Sequence, residues 1–124
     1  MAVKQEQSEK SLVAQLTSAV VRVHSQYLGR GPTRAQSFYR NNVVVVLMED
    51  ALTKAEQTLV ANGKGDVVHG IRQEFQRAMR DDLIAAVEQL TGSAVIAFMS
   101  DNHVDPDMAA ELFVLDAPVS GPLD

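Results

Sequence analysis

The chain has 124 residues, enough for one domain and too few for two ordinary ones. Hydrophobic residues make up 46% and charged residues 22%, a globular balance, and 11 Lys+Arg against 16 Asp+Glu leave a net charge of −5, which argues against an electrostatic nucleic-acid binder. The absence of cysteine removes disulfides, thiolate zinc sites, iron–sulfur clusters and cysteine nucleophiles together.

Residues 1–7 read as a loose polar leader without the apolar stretch of a signal peptide. A first helix is expected over residues 8–28. Ser8 stands as N-cap, and Leu12, Val13, Leu16, Ala19, Val20, Val23 and Tyr27 fall at helical spacing. Gly29 supplies the left-handed stop and Pro32 prevents resumption. Residues 35–40 then lead through Asn41-Asn42, a two-residue turn, into Val43-Val-Val-Val-Leu-Met48, whose β-branched run reads as strand.

Thr53 and Glu56 form a capping box for a short helix that stops before Asn62-Gly63. Asp66 starts a long helix through Leu90, with Val68, Ile71, Phe75, Met79, Leu83, Ile84, Val87 and Leu90 on one side and Gly92 as its end. A second hairpin follows: residues 94–99 out, 100–107 as a loop with a helical turn at Asp105-Pro106, and 110–115 back. Residues 117–124 contain two prolines and a glycine and read as a flexible tail. The expected fold is therefore α+β, one domain over 8–116 in the order α-β-β-α-α-β-β. Its two hairpins form a mainly antiparallel sheet packed against the N-terminal and central helices. The apolar runs 43–48 and 94–99 fall far short of the roughly 20 residues of a spanning helix. Direct membrane insertion is not expected, and a cytoplasmic location is.

The same two runs are apolar on both strand faces, whereas a strand with one wet face should alternate. With both amphipathic helices on one side of the sheet, the other side would stay bare, and a homodimer or docked protein would cover it. A helix on each side of the sheet is the competing arrangement.

Three places invite a chemical reading. Gly29-Arg-Gly-Pro-Thr-Arg34 offers Arg30, Thr33 and Arg34 as an anion cradle, although no phosphate-loop motif surrounds them and a helix stop followed by a turn explains the same residues. Ser100-Asp-Asn-His-Val-Asp-Pro-Asp107 places Asp101, His103, Asp105 and Asp107 at alternate positions, where oxygen and imidazole ligands would converge on a divalent cation. It fails as a calcium loop because Pro106 stands where glycine is needed and Leu112 where glutamate is needed. Of the three histidines, His24 and His69 lie on helices without a catalytic motif, and His103 lacks a nucleophile beside it. No cofactor is implied, and a non-enzymatic protein is expected.

The glycine–arginine turn, the valine-rich strand ending Met48-Glu-Asp50, Leu52-Thr-Lys-Ala-Glu56 with Thr58-Leu59, and the 100–107 segment together resemble the MpsC-like family, small bacterial proteins named after a Na⁺-translocating membrane-potential-generating system. The resemblance covers about residues 8–115. It implies an accessory or regulatory role, with a protein partner at an ion- or bicarbonate-handling membrane complex, and it brings no catalytic or ligand residues with it. Two other readings of the residues remain at this point: a small-ligand or anion sensor using the Arg30/Thr33/Arg34 turn, and a metal-dependent enzyme centred on the 100–107 segment.

Overall fold

A computed structural model of the chain describes residues 2–119, with side chains from Leu12 onward. Its order is α1 (Ala2–Leu28), β1 (Arg34–Arg40), β2 (Val43–Glu49), α2 (Lys54–Ala61), α3 (Gly65–Thr91), β3 (Val95–His103) and β4 (Met108–Leu115), the expected α+β succession. The first helix starts at Ala2 rather than at Ser8. Both long helices end at a left-handed glycine, Gly29 at φ 81° and Gly92 at φ 73°, where a side chain would be strained. The Thr53–Glu56 capping box is formed in both directions.

Each half of the chain is a helix followed by a hairpin, and the halves join through their closing strands. The sheet order is β1-β2-β4-β3, with every neighbouring pair antiparallel. Asn41 at φ 55° turns the first hairpin, with Arg40 opposite Val43. The second hairpin is longer than the composition suggests. Ser100 to His103 continue β3 opposite Glu111 to Met108, so the loop shrinks to residues 104–107, and no helical turn forms at Asp105-Pro106, whose peptide is cis. Pairing with β4 satisfies the backbone of these polar residues, which a turn-rich composition alone would place in a loop.

Helices α1 and α3 pack against each other and against the same face of the sheet. Leu16, Val20 and Val23 of α1 and Met79, Leu83 and Val87 of α3 share one core with Val44, Val46 and Met48 of β2 and Ala109, Phe113 and Leu115 of β4. Val119 also belongs to that core, and its amide donates to the Asn41 carbonyl at 2.7 Å. The chain thus stays on the body through residue 119. Residues 120–124 of the expected tail lie outside the described residues. Among the described residues no helix is long and apolar enough to cross a membrane.

Candidate functional site

Strand β2 ends at Glu49; Asp50 after it takes φ 57°, and the next two residues, Ala51 and Leu52, are buried. A bend of this kind hides backbone groups that no sheet or helix can satisfy, so side chains must do it. Four segments supply them. The Arg30 guanidinium donates to the carbonyls of Leu52 at 2.6 Å and Asp50 at 3.0 Å. Arg72 of α3 donates to the Ala51 carbonyl at 2.6 Å. The Asp107 carboxylate accepts the Leu52 amide at 2.9 Å, while its carbonyl accepts the Asp50 amide at 3.1 Å. Gln57 donates to the Leu52 carbonyl, and Glu56 accepts the Thr53 amide.

Arg72 is the keystone. It is 1% exposed and grips Glu56 with two donors, Nε to Oε2 at 2.9 Å and Nη2 to Oε1 at 2.8 Å. Burial pushes the Glu56 carboxyl up, but the bonds from Arg72 and from the Thr53 backbone outweigh it and hold the group below the ordinary carboxylate range. Arg72 lies four residues after Val68 and seven before Met79, on the apolar stripe of α3. That spacing was the signal that this arginine points inward.

The sequence candidates sort differently around this corner. Arg30 is occupied by two carbonyls and by Asp50, 3.6 Å away. Arg34 faces the other side of β1, pairs with Glu49 at 3.4 Å, and is 79% exposed. The Thr33 amide donates to the Glu49 carbonyl. The three therefore do not close round an anion; after the turn they diverge, because β1 begins at Arg34 and alternation sends it outward.

The metal candidates diverge as well. Asp107 anchors the bend, Asp101 pairs with His69 at 3.4 Å, the His103 Nδ1 meets the Pro106 carbonyl at 2.8 Å, and Asp105 is exposed in the loop. Among the described residues no three His, Asp or Glu side chains assemble as a metal site. The physical reason is the β3 extension, since Asp101 and His103 sit two residues apart on a strand while Asp107 turns back under the bend. The glycine–arginine turn and the 100–107 segment do meet, through their shared grip on residues 50–52. The motifs carrying the family resemblance thus converge on one corner, where their polar side chains hold backbone.

A second polar pair lies under the sheet. His24 of α1 is 2% exposed and Glu111 of β4 is 0% exposed, with Nε2 3.1 Å from Oε1. With the carboxylate as acceptor, the imidazole donates. His24 Nδ1 and Glu111 Oε2 make no hydrogen bond among the described residues.

The sheet face away from the helices is engaged neither by this pair nor by the grip on residues 50–52. Register sets four rows across it: Arg40, Val43, Val114, Ala97; Phe38, Val45, Leu112, Met99; Gln36, Leu47, Ala110, Asp101; and Arg34, Glu49, Met108, His103. Phe38 is 53% exposed and Met99 54%. Val43, Val45, Leu47, Leu112 and Val114 are partly exposed along the two central strands. Alternation does put their neighbours Val44, Val46, Phe113 and Leu115 into the core, so β2 and β4 are apolar on both faces and, among the described residues, one of those faces is covered. A shallow depression of about 380 Å³ opens on the same side, where Leu47, Met108 and Ala110 lie beside Asp101 and His103.

Helices on one side, an antiparallel sheet whose other face carries no covering layer among the described residues, and a polar corner committed to its own backbone define a small two-layer α+β protein. The chain belongs to the family described as Na⁺-translocating membrane potential-generating system (MpsC), whose model matches residues 8–117. It is similar to the uncharacterized protein YrhF of Bacillus subtilis (strain 168), 21% identical over 109 residues that cover 86% of this chain and 89% of that protein. No solved structure matches it.

Proposed function

We propose that the chain is a non-enzymatic accessory or regulatory protein of an ion-handling membrane system, and that it works by protein contact through the bare face of its sheet. The observation that carries this reading is the Phe38–Val45–Leu112–Met99 row, an apolar band across all four strands with no covering layer among the described residues. Membership of a family named for a membrane-potential-generating system supports the setting. The corner supports the non-enzymatic half, because Arg30, Arg72, Glu56 and Asp107 are engaged in holding residues 50–52.

The test is the Na⁺-dependent membrane potential of vesicles from a bacterial host deleted for this chain. The potential is expected to fall on deletion and to return when wild-type protein is supplied. Leu112→Asp should not restore it. Leu112 points away from the core, so that substitution should cost about 1 kcal/mol or less of stability, readable as a near-unchanged melting curve. An unchanged potential on deletion, or full rescue by Leu112→Asp, would overturn the reading.

A further inference from the structure

A bare apolar face needs an occupant. On the reading that this face is a contact surface, we infer that its occupant is a second copy of the chain, stacked face to face about a two-fold axis parallel to the strands, with β1 over the partner's β3.

Size comes first. Four strands about 4.8 Å apart and seven residues long at about 3.3 Å each span about 19 by 23 Å, a planar area of about 440 Å². That matches the largest apolar patches on monomers and falls below the roughly 800 Å² per partner of a standard interface. A second copy meets the face with an equally apolar surface of identical outline, and the pair should dissociate reversibly in the micromolar range.

Charge then selects the arrangement. On this face β1 carries Arg34, which pairs with Glu49 beside it, and Arg40, both exposed, whereas the same face of β3 carries His103 and Asp101, the latter 79% exposed and paired with His69, and no lysine or arginine. A two-fold axis across the strands would lay every strand over its own copy. Arg34 would then face the partner's Arg40 and the reverse, gathering four guanidinium groups at one edge. An axis along the strands lays β1 over the partner's β3, so Arg34 and Arg40 lie over the partner's His103 and the partner's Ala97, Gln36 lies over the partner's Asp101, and the two arginine edges stay apart.

The apolar rows make the same choice independently. An axis along the strands keeps every row over its own kind: Phe38 meets the partner's Met99, and Val45 meets the partner's Leu112. The alternative lays Phe38 over the partner's Gln36 and Leu112 over the partner's Ala110, spending apolar area on a polar side chain. The usual twist of stacked sheets, about −30°, leaves this correspondence intact near the axis.

The chain has no cysteine, so introduced thiols report cleanly. Phe38→Cys and Met99→Cys proteins are prepared separately, and each is treated with a short bismaleimide alone and in an equimolar mixture. Both positions are over half exposed, so folding should survive, and melting curves check it. The mixture is expected to cross-link efficiently. Each single variant should cross-link at least tenfold less, because equivalent positions stand about 14 Å apart laterally, three strand spacings. Efficient cross-linking of Phe38→Cys alone, or none in any mixture, would overturn the inference. The second result would leave the vesicle measurement standing, with a different protein on the face.

Discussion

Replacing Arg72 with methionine is expected to cost about 3–5 kcal/mol, the magnitude seen when one member of a buried ion pair is removed. Native domains hold only about 5–15 kcal/mol in all, so the variant should lose much of its cooperative melting transition or melt far below the wild type. The loss has three sources in one place. Glu56 keeps its charge at a buried position without its two-pronged partner; the Ala51 carbonyl loses its donor; and the bend at residues 50–52 loses its tie to α3.

The effect should depend on pH with a definite sign. Glu56 is held below the ordinary carboxylate range in the folded protein, so its contribution is complete above that range and is lost as pH falls through the lowered folded value. The gap between wild type and Arg72→Met should therefore be widest near neutrality and shrink in acid. Denaturant titrations at neutral and acid pH read it. A variant within about 1 kcal/mol of wild type at neutral pH would show that the bend does not depend on Arg72.

The second large effect lies under the sheet. His24→Leu should cost about 3 kcal/mol or more, because the Glu111 carboxylate then stands fully buried with no donor. Adding Glu111→Leu should recover that loss and bring the double variant to wild-type stability or above it, since leucine approximates the volume of either side chain and suits a core of Val20, Val46 and Phe113. The double-mutant cycle should yield a coupling of about 3 kcal/mol, at the upper end for residues in contact. Additive effects of the two substitutions would mean that the imidazole and the carboxylate do not support each other.

How much of this was legible in the sequence follows the distance over which each interaction acts. Helix ends are local, and Gly29, Gly92 and the Thr53–Glu56 box all stand where the residues put them. The order of elements and the doubly apolar character of residues 43–48 were equally readable, and with α1 and α3 on one face the bare sheet follows from them. The reach of β3 was not readable. Ser100 to His103 resemble loop residues, and only their pairing with Met108 to Glu111 makes them strand.

The corner was hidden for the same reason. A guanidinium that binds two carbonyls and one that binds an anion look identical in a sequence. Arg30 has its acceptors only after Asp50 takes a left-handed conformation twenty residues away. The His24–Glu111 pair spans 87 positions. Alternation alone could not assign Glu111 to the core either, because Leu112 and Val114, on the opposite face, are as apolar as Phe113 and Leu115. Arg72 was missed for a different reason: its spacing from Val68 and Met79 puts it on the α3 stripe, but the expected stripe took in only apolar residues.

The bare sheet face is tested most directly by sedimentation of the wild type and of Leu112→Asp over rising micromolar concentration. The wild type should move from the 13.5 kDa monomer toward twice that mass, while Leu112→Asp stays at 13.5 kDa with its fold intact. A wild type that remains monomeric throughout, or a Leu112→Asp protein that associates equally well, would contradict the assignment of this face as the surface where copies of the chain meet.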